Sequence, residues 1–200
     1  MGHLSDEQMK LWKALPIQDT MGDKSITYPW INVAANERLW EKFWMQEYAH
    51  CGGANTLDHI LDFGCGVGLG WLVANSRGFK NVIPLDIVSE RMQKVFAPFV
   101  NILNPPIVYW EGAVLPFESD HFDSVVAKAS IMKCVNSDFE TVIKELIRVT
   151  KYRGTWFIAP KLHYSRLWAK MSTTKLFDLS DAKRIEIKYW QFDDGTTHNV

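Results

Sequence analysis

The chain has 200 residues, 47% of them hydrophobic, which is enough to bury one sizeable core and predicts a single domain. Its formal net charge of −1 gives no electrostatic footprint for nucleic acid or an anionic membrane. No apolar run could span a bilayer, and the N-terminus lacks the layout of a signal peptide, so we expect a soluble, cytoplasmic protein. The three cysteines form no C-x-x-C pair, which argues against a disulfide framework or a metal site.

Residues 1–56 are predicted to form an N-terminal segment of helices and aromatic residues that carries specificity. A capping-box pattern at Ser5 and Gln8 predicts the start of a first helix. A second amphipathic helix is predicted over 36–50, with Trp40 and Trp44 on its apolar side. We expect these two side chains to dock the helix onto the rest of the fold.

A loop between the two helices holds two further aromatic residues, Tyr28 and Trp30. Aromatic faces attract cations, so these residues are candidates for a lid over a cationic ligand. Docking of the loop by the same side chains is the alternative.

A buried strand predicted over 57–63 runs into a loop with glycine at positions 64, 66, 68 and 70. Glycine adopts positive φ at little cost and has no Cβ, so a ligand can approach such a loop closely. A helix predicted over 69–77 begins in the same place, which makes a nucleotide-type binding corner. Cys65 is interpreted as a small residue tolerated in this loop rather than as a nucleophile.

The glycine spacing excludes two common nucleotide sites. A dinucleotide fingerprint needs G-x-G-x-x-G, and the sixth position is Leu69 or Trp71, depending on the starting glycine. A P-loop needs Lys followed by Ser or Thr after the glycines, and neither pair occurs here. The remaining pattern is D-x-G-x-G-x-G, which begins at Asp62.

The next two predicted strands, over 82–86 and 106–110, each end near a carboxylate. Asp86 lies about 18 residues past Gly68, close to the spacing of about 20 at which a carboxylate can accept both hydrogen bonds of a ribose diol. Helix capping is the structural alternative for an aspartate at a strand end. Glu111 and Gly112 follow the later strand and precede a Leu-Pro-Phe segment, which we interpret as an anchor for the chain.

Helices are further predicted over 89–101 and 138–150, and strands over 122–128, 154–160 and 184–192. The turn before the strand over 154–160 is predicted to rely on a positive φ at Gly154. An Asp193-Asp194-Gly195 turn is predicted to lead into a last, short strand. Alternating strands and helices imply a parallel sheet covered on both faces.

Four segments between residues 57 and 160 resemble the motifs of class I S-adenosylmethionine-dependent methyltransferases. They are the glycine loop, the strand ending in Asp86, the stretch from Glu111 through Leu-Pro-Phe to the Phe-Asp pair, and the helix with its Glu145 and Arg148. The family usually has aspartate in place of Glu111. The resemblance implies a Rossmann-like α/β sandwich over 57–200 with a mostly parallel, seven-stranded sheet in the order 3-2-1-4-5-7-6 and an antiparallel last strand.

The resemblance also implies S-adenosylmethionine as cofactor and S-adenosylhomocysteine as product. Asp86 would bind the ribose, Ile87 would lie against the adenine, and Glu111 with the backbone N–H of Gly112 would bind the adenine edge. The cofactor-binding residues implied in this way are Asp62, Gly64, Cys65, Gly66, Gly68, Asp86, Ile87, Glu111, Gly112 and Lys128.

The methyl acceptor is predicted to be a small molecule. Lys133, in the loop after the strand over 122–128, and His163, just past the strand over 154–160, are candidate substrate residues. Many small-molecule methyltransferases carry a histidine near the position of Lys133. This chain has no histidine there, so no catalytic base is assigned. No metal is expected. A protein lysine acceptor and a partner subunit without activity are the alternatives, and a nicotinamide-dependent oxidoreductase is disfavoured by the glycine spacing.

Overall fold

The computed structural model describes residues 4–15, 33–50, 55–88, 96–112, 114–131, 139–159 and 164–189. The helices are α1 Asp6–Ala14, α2 Val33–Lys42, α3 Leu69–Ser76, α4 Ala97–Leu103, α5 Phe139–Val149, α6 Tyr164–Thr173 and α7 Leu176–Ala182. The strands are β1 Ile60–Phe63, β2 Val82–Ile87, β3 Val108–Trp110, β4 Phe122–Lys128, β5 Thr150–Ala159 and β6 Glu186–Tyr189. No helix in these described ranges is long and apolar enough to cross a membrane.

The six strands form one sheet in the order β3-β2-β1-β4-β5-β6, and every neighbouring pair is parallel. The predicted α/β class is therefore confirmed. The edge beside β5 differs from the implied order, because β6 pairs with β5 directly. Helices α6 and α7 carry the chain from the carboxyl end of β5 back to the edge at which the parallel strands begin, so that β6 runs parallel to β5. The predicted turn at 193–195 and the short strand after it lie outside the described residues.

Helices cover both faces of the sheet, and each face has its own hydrophobic core. One core joins alternate residues of β1 and β4, such as Leu61 and Val125, to α5, α6 and α7. The other joins Ile60 and Val126, which point to the opposite face, to α1, α2, α3 and α4. The N-terminal helices are thus part of the second core and lie on the same face as α3.

The predicted N-terminal helices are present. Ser5 Oγ accepts the N–H of Gln8 at 3.1 Å, and the Gln8 side chain accepts the N–H of Ser5 at 2.9 Å, which completes the predicted capping box. Helix α2 continues as a π-helical turn over Phe43–Tyr48. Trp40 and Trp44 are both buried, as expected for docking residues, and Trp44 Nε1 donates to the carbonyl oxygen of Gly70 in α3 at 3.0 Å.

The start of β5 corrects one prediction. β5 begins at Thr150, four residues earlier than expected, and the residue with positive φ is Arg153, at 62°. Gly154 is needed for space instead: a Cβ there would lie 2.4 Å from Thr150 Cγ2 and 3.0 Å from the carbonyl oxygen of Asp123. The sequence showed that a glycine was required, but the spacing alone could not separate a conformational reason from a packing reason.

An ion pair on α5 anchors the Leu-Pro-Phe segment. Arg148 pairs with Glu145 at 2.7 Å and also donates to the carbonyl oxygens of Leu115 and Phe117. Glu145 accepts the backbone N–H of Leu115 at 2.7 Å, and the hydrogen bonds from Arg148 are the main reason that the pKa of Glu145 lies below its usual value. These contacts agree with the interpretation of this segment as an anchor.

Candidate functional site

The strand order reverses between β1 and β4, and this reversal defines the candidate site. Connections from two such strands leave in opposite directions and open a crevice at their carboxyl ends, where ligands of open α/β sheets bind. β1 leads into the glycine loop at this edge, β2 ends beside it at Asp86 and Ile87, and β4 ends at Lys128. The topology thus brings the predicted residues of three strands to one place.

Asp86 is tied directly to the glycine loop. Its Oδ2 accepts the backbone N–H of Gly66 at 2.7 Å, and its Oδ1 accepts the N–H of Ile87 at 2.8 Å. The backbone N–H groups of Gly64 and Cys65 both donate to the carbonyl oxygen of Leu85, at 2.8 and 3.0 Å. Each carboxylate oxygen of Asp86 thus accepts a backbone N–H at this edge of the sheet.

Three glycines of the loop have positive φ, but they meet different surroundings. φ is 72° at Gly64, 60° at Gly66 and 83° at Gly68. A Cβ at Gly64 would lie 2.2 Å from Ser130 Cβ, and one at Gly68 would lie 2.4 Å from Pro105 Cγ. A Cβ at Gly66 would meet nothing closer than a Phe96 ring carbon at 3.9 Å. Among the residues that the structure describes, Gly66 is therefore the positive-φ glycine of this loop with the most room beside its backbone.

Asp62 is a buried carboxyl group with an unsatisfied atom. It is 1% exposed, and its Oδ2 has no hydrogen-bond partner among the described residues. Burial, together with the nearby Asp86 carboxylate, raises the pKa of Asp62 to about 7, although the positive charge of Lys128 acts in the opposite direction. An ionised carboxylate without a donor is costly in such a place, so Asp62 is poised to accept a hydrogen bond from a ligand.

The ends of β2 and β3 bring the predicted adenine residues together. Ile87 pairs with Trp110 in the parallel ladder and is 44% exposed. Glu111 follows Trp110 and is exposed. Gly112 has a φ of 106°, and a Cβ there would lie 3.9 Å from Ile87 Cδ1. The apolar side chain of Ile87 and the backbone of Gly112 thus lie close together, next to Glu111 in the sequence.

Two residues of α2 that the sequence analysis did not assign to the site reach it. Lys128 Nζ donates to Asn36 Oδ1 at 3.1 Å and lies 5.6 Å from the centre of the Trp40 ring. Asn36 is 2% exposed. The sequence does carry a sign of this contact: Asn36 precedes Trp40 by four residues, so a polar side chain lies on the apolar face of the predicted helix.

Cys65 lies in the glycine loop but is not suited to react. Burial raises the pKa of the Cys65 thiol, and the Asp62 and Asp86 carboxylates raise it further, so the thiol stays protonated and is unsuited to nucleophilic attack. The described residues include no group of His, Cys, Asp and Glu that could hold a metal ion. The predicted substrate residues Tyr28, Trp30, Lys133 and His163 lie outside the described residues.

Comparisons with known proteins agree with this geometry. The family model described as "Methyltransferase domain" matches residues 61–158, about half of the chain. No curated protein sequence matches the chain significantly. A Methanococcus maripaludis protein provisionally described as an S-adenosyl-L-methionine-dependent methyltransferase shares 18% identity, with a TM-score of 0.54 over 78% of this chain and 73% of that one. At this identity the likeness concerns the fold.

Two more distant structures also match. One is the complex of a provisionally described methyltransferase with the Trm112 methyltransferase activator of Haloferax volcanii (15% identity, TM-score 0.46, 72% of this chain and 62% of that one). The other is protein PH0226 of Pyrococcus horikoshii (19% identity, TM-score 0.48, 73% and 62%). Residues 61–158 thus match the methyltransferase-domain family, and they contain the glycine loop and the central parallel strands described above.

Proposed function

We propose that this chain transfers a methyl group from S-adenosylmethionine to a nucleophile on a small molecule. The main support for S-adenosylmethionine as the methyl donor is the hydrogen bond of 2.7 Å from the Gly66 N–H to Asp86, which fixes a carboxylate beside a glycine backbone with room for a ligand. The position of α2 supports a small molecule as the methyl acceptor. The hydrogen bond from Lys128 to Asn36 indicates that this helix reaches over the carboxyl end of β4. A covered strand end suits a small acceptor better than a side chain of a folded protein.

The residues at this edge fit the cofactor. The open backbone at Gly66 leaves room for a ligand, and the unsatisfied Oδ2 of Asp62 suits an ammonium group. Asp86 would hold the ribose hydroxyls, while Ile87 and the residues after β3 would hold the adenine. We further propose that Gly64, Cys65 and Gly68 line the loop, and that Glu111, Gly112 and Lys128 complete the site.

The chemistry needs alignment more than acid or base. When bound, S-adenosylmethionine supplies a methyl group that its positively charged sulfur already activates. The protein's part is to hold both reactants in line and to exclude water, which can remove about 7–11 kcal/mol of the barrier. The N-terminal segment, residues 1–56, would select the acceptor, and residues 57–200 would hold the cofactor. Tyr28, Trp30, Lys133 and His163 remain our candidates for contacts with the acceptor.

Methyl-labelled S-adenosylmethionine tests the acceptor class. The protein is incubated with a cell extract separated into a small-molecule fraction and a protein fraction, and the label in each is counted. We expect label in the small-molecule fraction and much less with a Gly66→Ala variant, whose added Cβ would obstruct the open backbone. Label confined to the protein fraction would overturn the proposal in favour of a protein acceptor. No label in either fraction, with cofactor binding intact, would indicate a partner subunit without activity.

A further inference from the structure

Strand register places three charged side chains on one face of the sheet. Asp62 pairs with Pro84 of β2 and with Val126 of β4. Side chains alternate along a strand, so the residues two positions further on, Asp86 and Lys128, point to the same face as Asp62. Asp62 is therefore flanked by a carboxylate on one neighbouring strand and by an ammonium group on the other.

Helix α2 covers this face and fixes the ammonium group. Lys128 donates to Asn36 and lies over the ring of Trp40. Trp40 in turn lies beside the carboxyl group: a Cβ at Gly70 would meet Trp40 Cζ2 at 2.8 Å and Asp62 Oδ2 at 3.0 Å. Asn36, Trp40, Lys128 and Asp62 are thus neighbours in one buried group, although 92 residues separate Asn36 from Lys128.

The groups that face Asp62 come from five parts of the fold. β2 contributes the Asp86 carboxylate, the glycine loop contributes the neutral Cys65 thiol, and β4 contributes the Lys128 ammonium. From the helices, Trp40 of α2 and the backbone of α3 at Gly70 pack against it without charge. Lys128 therefore supplies the positive charge that favours the ionised form of Asp62.

A second carboxyl group on α2 has a different role. Glu37 is buried beside Asn36 in the sequence, and its Oε1 accepts the backbone N–H of Leu4 at 3.1 Å. This bond ties α2 to the residue that precedes α1. Asn36, by contrast, directs its side-chain oxygen to β4, so the two neighbouring residues serve separate contacts.

We propose that Asn36 is a positioning residue of the cofactor site, which acts by holding the Lys128 ammonium beside Asp62. Through this contact α2 takes part in binding the cofactor, besides any part it has in selecting the acceptor. The inference rests on the proposed function, in which the Asp62 carboxylate accepts a hydrogen bond from the cofactor's ammonium group. Loss of the Asn36 oxygen removes a contact that positions the lysine side chain, weakens the ionised form of Asp62 and so weakens cofactor binding at neutral pH.

The test is the pH dependence of S-adenosylhomocysteine affinity, measured by calorimetry on the full chain between pH 5.5 and 8.5. For the wild type we expect affinity to fall as the pH drops through about 7, where Asp62 takes up a proton. Asn36→Ala and Lys128→Met should each move this midpoint to higher pH and weaken affinity at pH 7 about three- to tenfold, which corresponds to one hydrogen bond. The double variant should be no weaker than Lys128→Met alone, because both changes remove the same interaction.

Controls separate positioning from stability. Arg38→Gln, exposed on the same helix, should leave the pH midpoint unchanged. Should Asn36→Ala fail to fold, Asn36→Ser and Lys128→Met carry the test. A variant at Asn36 that lowers the thermal midpoint but leaves the pH midpoint of binding in place would overturn the inference. Additive effects of the two substitutions would overturn it as well. A wild type that binds no S-adenosylhomocysteine at any pH would instead refute the proposed function.

Discussion

Replacing Asp62 by Asn is expected to stabilise the ligand-free protein at pH 8 while weakening its affinity for S-adenosylhomocysteine. The folded-state pKa of about 7 lies above the usual value of 3.8, so the folded state binds more protons than the unfolded state between these two values. Stability therefore falls as the pH rises from about 4 to 7, and the cost is complete above pH 7. A shift of this size corresponds to up to about 4 kcal/mol of unfolding free energy, which an amide avoids.

Urea unfolding at pH 4 and pH 8, without ligand, measures this effect. The stability difference between Asp62→Asn and the wild type should be small at pH 4 and large at pH 8. Asp178→Asn, an exposed carboxyl group of α7, is the matched control and should show no comparable pH dependence. A variant that is equally or less stable than the wild type at pH 8 would show that Asp62 finds a donor in the ligand-free protein.

The variant Gly64→Ala should mainly lose folding stability, whereas Gly66→Ala should mainly lose cofactor binding. Both positions have positive φ, which costs an L-residue about 1–2 kcal/mol. At Gly64 the added methyl also overlaps Ser130 Cβ, and overpacking adds about 1–3 kcal/mol, so this variant should lose the larger part of its stability. At Gly66 the methyl would meet only a Phe96 ring carbon at 3.9 Å among the described residues, so the loss of stability is limited to the backbone strain, but the cofactor loses its approach to the backbone.

Thermal unfolding with and without S-adenosylhomocysteine distinguishes the two variants. We expect Gly64→Ala to lose more of its unfolding temperature than Gly66→Ala, which carries only the backbone strain, and we expect Gly66→Ala to gain little stabilisation from the ligand. Ser130→Gly should recover part of the loss in Gly64→Ala, since it removes the overlapping atom. Equal losses of stability in both variants, or full ligand stabilisation of Gly66→Ala, would contradict the assignment of the open backbone to the cofactor.

The sequence allowed candidate site residues to be grouped where the topology alone brings strand ends together. Parallel strands share one carboxyl edge, so Asp62, Asp86, Glu111 and Lys128 could be placed near one another once the strands were recognised. The hydrophobic pattern predicted strands and helices, and the glycine spacing predicted the loop. These inferences need only local patterns and the rules of parallel sheets.

Contacts that depend on how a helix docks could not be predicted in the same way. The bond from Lys128 to Asn36 joins residues 92 positions apart, and it depends on the angle at which α2 lies on the sheet. Likewise, direct pairing of β6 with β5 depends on the path of α6 and α7, which no local pattern specified. The need for glycine at position 154 depends on the Thr150 side chain that packs against it, and no local pattern specifies this contact.

The most direct test of the account is calorimetric titration of the wild type and of Asp86→Ala with S-adenosylhomocysteine, with NAD as the control ligand. The account predicts that the wild type binds S-adenosylhomocysteine and gives no heat with NAD. Asp86→Ala should bind about 10- to 150-fold more weakly, the loss of a hydrogen bond to a charged group. Binding of NAD, no binding of S-adenosylhomocysteine, or an unchanged affinity in Asp86→Ala would contradict a cofactor site built on the glycine loop and Asp86.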